Sequence, residues 1–392
     1  MYDYEQMARE LDPRWIVHCA DRSIWRYAAL LPHDGSAYSR PNTPLSNLGW
    51  SPLYRAYQLE ERTGAYRVWL KDDTRLPSSS FKDRASAVVI AKALASNKQV
   101  ICVASTGNAA SALATLCAGT HLQAVIFVPQ NTPEAKLASI AIHGARVFIV
   151  DGSYNDAVAL ARACCDEFGW YNRNTGFNPL TREGKKTASF EIAEQLARYE
   201  EKANSVSTVL FRAPNVMIVP VGDGNIISGL YKGFQELHAL GWVTHVPRFV
   251  AATASRAPSL YRAWQRGSEV FETIPSTTIA SGISVDRPCD GVMALRAVQE
   301  SNGAVVEVED EEMLDAVRVL AECTGVFVEP ACAATVVALE KGISSGLIRS
   351  DDEVVLQLTG SGLKDVRSAL QAAPRPQVVS TVAEVASAMK LR

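Results

Sequence analysis

The residue with the most chemistry to offer is a lysine placed at the start of a helix. Lys82 stands in Pro77-Ser78-Ser79-Ser80-Phe81-Lys82-Asp83-Arg84, after a strand-like run ending in Leu70-Lys71-Asp72-Asp73 and before a helical pattern. On a first helical turn the amine sits in the positive end of the helix dipole, which favours its neutral form. A neutral amine is the form that condenses with a carbonyl. Taken alone, the segment reads equally as a surface lysine behind a serine-rich N-cap.

Three further turns carry groups that would complement such an amine. Ser105-Thr106-Gly107-Asn108-Ala109-Ala110 follows the apolar run Ile101-Cys102-Val103-Ala104. Short hydroxyls, a glycine and open amides at a helix start suit a carboxylate, and Asn108 could instead cap the helix. Val221-Gly222-Asp223-Gly224-Asn225-Ile226-Ile227-Ser228-Gly229 follows the strand-like 217–220. Its glycines free backbone amides to wrap a phosphate ahead of a helix. Gly229 falls five residues after Gly224 and no Lys-Ser/Thr pair is present, so a small phosphate monoester fits better than a dinucleotide. Asp223 would repel that anion and is expected to point outward. Last comes Leu358-Thr359-Gly360-Ser361-Gly362-Leu363-Lys364-Asp365, after the run 354–357. A hydroxyl at the mouth of a central strand can hydrogen-bond a pyridine nitrogen without protonating it, although an ordinary glycine-rich turn would look the same.

The elements between these turns explain why they would converge. Short β-branched runs at 67–71, 100–104, 124–128, 146–150, 216–219, 248–252 and 354–358 alternate with amphipathic stretches. The helical stretches are 82–96, 109–119, 133–143, 154–168 and 185–198. Such alternation means α/β architecture, with a mostly parallel sheet covered on both faces. Its binding site lies beyond the carboxyl ends of the strands, where all four turns fall.

Bulk composition narrows the classes. A chain of 392 residues with 47% hydrophobic content buries a large core and suggests two or three domains. A net charge of −3 gives no basic surplus for nucleic acid. The apolar stretches are too short to span a membrane. Asp3, Glu5, Glu10 and Asp12 are the wrong chemistry for a signal peptide, so a cytoplasmic location is expected. The eight cysteines form no metal-type CxxC pairs and read as buried thiols in a reducing compartment. The six histidines are scattered without metal-ligand spacing.

Together the four ordered motifs resemble the threonine synthase family, of the second large fold type of pyridoxal-phosphate enzymes. The resemblance runs from about Leu48 to Asp365. Supporting matches are Gly49-Trp50-Ser51-Pro52-Leu53, Asn178-Pro179 with Glu183-Gly184-Lys185-Lys186-Thr187, and Gly325-Val326-Phe327-Val328-Glu329-Pro330-Ala331. It implies a tryptophan synthase β-like fold, two three-layer αβα domains with mostly parallel sheets. An N-terminal arm (1–64) would precede a large cofactor-binding domain (65–98 with 178–373). A small mobile domain (99–177) would be inserted in it, and a tail (374–392) would follow. The cofactor would be pyridoxal 5′-phosphate, the partners a small amino-acid substrate and a second copy of the chain in a homodimer.

Residue by residue, the resemblance makes Lys82 the Schiff-base lysine and the acid/base that moves protons among substrate carbons. Asn108 would bond the cofactor's 3′ oxygen, and Gly222, Asp223, Gly224, Asn225 and Ile226 would line its phosphate. Thr359 would meet its ring nitrogen. Ser80, Ser105, Thr106, Gly107, Asn178 and Thr181 would face the substrate. The family reaction is γ-elimination of phosphate from O-phospho-L-homoserine, then addition of water at the β-carbon to give L-threonine. Two positions depart from the pattern: Ala109 replaces the usual threonine, and Thr181 replaces an arginine, with Arg182 one place late. Both usual residues hold the substrate's phosphate, and Arg182, Lys185 and Lys186 are the cations nearby. The departures keep open β-elimination of the serine/threonine dehydratase type, or β-replacement on O-phosphoserine. A non-catalytic cofactor-binding protein is the third reading.

Overall fold

Val216–Pro220 and Glu353–Leu358 are buried at every position. Strands covered on both faces need no polar alternation, and these two form the centre of the larger sheet. The computed structural model describes residues 2–32, 43–203 and 209–390. In chain order the strands are β1 (Leu53–Arg55), β2 (Arg67–Asp72), β3 (Val100–Ala104), β4 (Gln123–Pro129) and β5 (Arg146–Val150). There follow β6 (Tyr171–Asn172), β7 (Val216–Pro220), β8 (Arg248–Ala254), β9 (Ala304–Val308) and β10 (Glu353–Leu358).

They make two sheets. The six-stranded sheet has the order β1-β2-β10-β7-β8-β9, parallel except for β1, and the four-stranded sheet β5-β4-β3-β6 is parallel throughout. Phe190, Leu230, Phe234 and Phe249 pack one face of the large sheet, and Val336, Leu339 and Met313 pack the other. The small sheet is covered on one face by Val88 and Leu113 and on the other by Ala157, Ala161 and Cys165. Among the described residues no helix is long and apolar enough to cross a membrane.

Some expectations need correction. β1, β6 and β9 escape a sequence reading: three and two residues show no period, and β9 is a short apolar run that a helix could equally contain. The segment expected as an arm outside the large domain holds helices Tyr4–Glu10 and Tyr57–Thr63 and supplies β1 to the edge of the large sheet. The single helix expected over 185–198 is two, Leu180–Lys185 and Thr187–Ala203. At the break the Thr187 hydroxyl donates to the Gly184 carbonyl at 2.7 Å.

Candidate active site

Helix Lys82–Ala95 begins with Lys82 itself, and no serine side chain caps it. The Ser78 and Ser80 hydroxyls lie 3.1 Å apart, and the Ser78 N–H donates to the Asp83 carboxylate at 2.7 Å. The turn is fixed instead by its neighbour. The Phe81 N–H donates to the Thr359 carbonyl at 2.9 Å, the Ser361 N–H to the Ser79 carbonyl at 3.1 Å, and Ser80 bridges Gly360. The lysine turn and the turn leaving β10 are therefore one unit.

A buried ionic network anchors the helix from below. Arg84 pairs with Asp73 at 2.7 Å and with Glu191 at 2.6 Å, and Lys71 reaches the same Glu191 at 2.7 Å. All four side chains are inaccessible to solvent. Every charge there has an opposite partner, which is what makes such burial tolerable.

Lys82 keeps partial exposure as a residue. Enclosure of its amine holds its pKa below the ordinary value; Arg173 pushes the same way, while Asp223 and Glu329 push back. The amine has no hydrogen-bond partner among the described residues. It is a neutralisable, uncommitted nucleophile.

Around it stand groups from both sheets. β3 leads into Ser105, Thr106 and Gly107, half-buried to exposed, and helix Asn108–Cys117 follows with its first amides open. Asn108 Nδ2 donates to Glu329 Oε1 at 2.7 Å. Glu329 occupies the N-cap position of helix Pro330–Ser344 without making a cap bond, so its carboxyl serves the site. Thr359 Oγ lies 3.2 Å from Cys332 Sγ, and that sulfur also accepts the Thr359 and Gly360 amides at 3.0 and 3.1 Å. Burial pushes the Cys332 thiol up to about 12, so both groups at the mouth of β10 are neutral.

The turn after β7 forms the opposite wall. Gly224 adopts φ +88°, and a Cβ there would lie 2.7 Å from the Asp290 carbonyl. Gly222 is similarly confined, 2.9 Å from Ile283 Cα. The Gly222 to Ile226 amides head helix Asn225–Ala239, an arrangement that attracts phosphate. Asn225 is buried; its Nδ2 donates to Asp290 at 2.6 Å, and its Oδ1 accepts from Lys185. Asp223, expected to point outward, is half-buried beside Cys289. Its carboxylate accepts from the Cys289 amide at 3.4 Å and lies within electrostatic reach of Lys82 and Lys185.

Asn178 and Thr181 are brought to the same region; Asn178 spends its side chain locally, and the Thr181 hydroxyl also lies 3.4 Å from Asn225 Oδ1. Asn178 Nδ2 donates to the Asn172 carbonyl at 2.8 Å, and Thr181 Oγ donates to the Asn178 carbonyl at 2.8 Å. Lys186 is drawn off by Glu183 and Glu236 at 2.6 and 2.9 Å. Sequence reading singled out neither Cys332 nor Arg173 for the site. Neither sits in a recognisable motif, and only folding carries them to the strand ends.

The fold and the site together fit an enzyme that holds a carbonyl cofactor: an unbonded lysine amine faces a glycine-confined turn of amides. Comparison with known proteins agrees. Residues 45–360 match the family described as pyridoxal-phosphate dependent enzyme. Threonine synthase of Methanosarcina acetivorans is 33% identical over 97% of this chain and 88% of the relative. Threonine synthase of Mycobacterium leprae is 35% identical over 88% of this chain and 90% of the relative. Among solved structures, diaminopropionate ammonia lyase from Escherichia coli superposes with a TM-score of 0.68 at 18% identity, covering 90% of this chain and 92% of that one. The processed threonine deaminase isoform 2 of Solanum lycopersicum gives 0.67 at 19% identity, covering 83% and 87%. These two show the same fold.

The chain belongs to the pyridoxal-phosphate-dependent enzymes and, within them, to the threonine synthase family. It is a pyridoxal-phosphate-dependent lyase of the threonine synthase type. The residues present fit the cofactor: a free lysine amine, a glycine-confined amide cradle and a neutral hydroxyl and thiol at a strand mouth.

Proposed function

We propose that this enzyme releases phosphate from O-phospho-L-homoserine and adds water at the β-carbon to form L-threonine. The observation that supports this most directly is the uncommitted Lys82 amine, held low by burial and locked to the Thr359 turn. In this reading Lys82 holds the cofactor's aldehyde carbon, then carries protons among the α, β and γ carbons. The Gly222, Asp223, Gly224, Asn225 and Ile226 amides hold the cofactor's phosphate, with Lys185 beside them. Asn108 meets its 3′ oxygen and Thr359 its ring nitrogen. When bound, the cofactor supplies the electron sink that makes loss of the α-proton feasible. Ser105, Thr106 and Gly107 receive the substrate carboxylate, and Ser80, Asn178 and Thr181 complete the substrate side. The domain division assigned from sequence, with a mobile small domain, excludes water until the phosphate has left. A homodimer in the cytoplasm completes the reading.

A second reading has specific support. Thr181 stands where the family carries an arginine, and its hydroxyl is occupied, while Ala109 offers no hydroxyl. That favours β-elimination, or β-replacement on O-phosphoserine. Phosphate release from O-phospho-L-homoserine, compared with ammonia and keto-acid release from threonine, separates the two. Lys82→Ala should abolish the borohydride-reducible chromophore and lower either activity by about a thousandfold or more. A colourless wild-type protein, or full activity in the variant, would overturn both.

A further inference from the structure

Beyond the turn that holds Thr359, the chain carries two apolar stripes that its own fold leaves uncovered. The first begins in the turn itself: Leu363 stands two residues after Ser361, whose N–H donates to the Ser79 carbonyl. Val366 and Leu370 follow on helix Val366–Ala372, four apart and therefore on one side of it. Leu363 and Leu370 are 74% and 75% exposed, and Val366 between them is exposed too. The second stripe lies on the terminal helix Val382–Ala388. Val382, Val385 and Met389 recur at three and seven residues, the spacing of an apolar helix face, and Val378 precedes them. Val382 is 86% exposed, and the other three are exposed as well. A reciprocal capping box between Thr381 and Glu384 opens this helix, yet a short helix gains most of its stability from a surface that buries its apolar face.

The linker decides which copy supplies that surface. Residues 374–380 form neither helix nor strand, and every one of them is exposed. Ala373 and Thr381 at its ends are extended, with ψ 143° and 155°, and Pro374 and Pro376 stiffen it. Seven such residues reach about 22 Å at about 3.1 Å each. Helix Val366–Ala372 is only about 10 Å long. The tail helix is therefore carried past the end of its own chain's stripe and into reach of a neighbour. One tail laid on one face, repeated about a twofold axis, would remove on the order of 1,400 Å² from water, within the range of a stable dimer interface.

We propose that helix Val382–Ala388 of one copy packs across Leu363, Val366 and Leu370 of a second copy, with the two tails exchanged about a twofold axis. This deepens the homodimer of the proposed function by naming its contact. The receiving face begins in the turn hydrogen-bonded to the Lys82 turn, so each tail braces the other copy's site from outside.

The test is the mass of the full-length holoenzyme, by light scattering across a concentration series. Wild type should be a dimer. Val382→Asp with Val385→Asp, in the tail, and separately Leu370→Asp, on the face, should each raise the dissociation constant by about a hundredfold or more. Mixing the two variants should restore a dimer, because the intact face of the first accepts the intact tail of the second. A tail folded onto its own chain could not be rescued in this way. A monomeric wild type, a variant as dimeric as wild type, or a mixture that stays monomeric overturns the inference. If Leu370→Asp yields no soluble protein, Val366→Asp takes its place. Variants that remain dimeric strike this contact and leave the homodimer on another surface; a missing cofactor band strikes the proposed function instead.

Discussion

Asn108 Nδ2 and Glu329 Oε1 are 2.7 Å apart, and this contact joins a helix of the small sheet to a helix of the large one directly over Gly360. Burial raises the pKa of the Glu329 carboxyl, and the Asn108 amide pulls it back. The pair thus holds a site residue of each sheet at a set separation.

Gly360→Ala should break that relationship. A Cβ at this position would lie 2.2 Å from Glu329 Oε1 and 3.1 Å from Asn108 Nδ2. We expect a folded protein, less stable by about 1–3 kcal/mol, with activity down about tenfold or more. Thermal melts and phosphate release measure the two effects; an unaltered activity would show that the contact does not position Asn108.

Lys185→Met should weaken cofactor retention. Burial, reinforced by the Lys82 charge, holds the Lys185 amine well below its ordinary value, and its hydrogen bond goes to Asn225 at the head of the phosphate cradle. An arriving phosphate restores and uses that charge. We expect cofactor affinity to fall about tenfold, equivalent to about 1.4 kcal/mol, by equilibrium dialysis. Undiminished affinity would place Lys185 outside the phosphate site.

Asp83 should give the stability a pH dependence. Burial raises its carboxyl from 3.8 to about 7, against the Ser78 N–H that pulls it down. Between those values the folded chain binds more protons than the unfolded one, so this group's contribution falls as pH rises. Asp83→Asn should remove a loss on the order of a few kcal/mol between pH 5 and pH 8. Denaturant melts at both values decide; identical slopes in variant and wild type would rule it out.

Glu191→Gln should act in the opposite sense. Burial pushes the Glu191 carboxyl up, but Arg84 and Lys71 outweigh it and hold it at about 2, below its ordinary 4.5. Its contribution is full above 4.5 and lost as pH falls toward 2. Removing the charge leaves Arg84 and Lys71 undercompensated, at a cost of about 3–5 kcal/mol near neutrality. Denaturant melts at pH 7 check this, and a loss below 1 kcal/mol (about the worth of an exposed pair) would contradict it.

What the chain shows without its fold is what local rules can specify. The apolar runs of β7 and β10, the helix opening at Lys82 and the glycines at 222, 224 and 360 are all decided within a few residues, by periodicity and backbone freedom. From them came the α/β class, the parallel sheets and the family. Tertiary structure decided everything that depends on a partner distant in sequence. Asp223 is held by the Cys289 amide, 66 positions away, within electrostatic reach of Lys82. Cys332 meets Thr359, Glu329 meets Asn108, and Arg173 lies against Ser86 across 87 positions. Burial and electrostatics depend on which surfaces meet in space, and the order of residues along the chain does not contain that information.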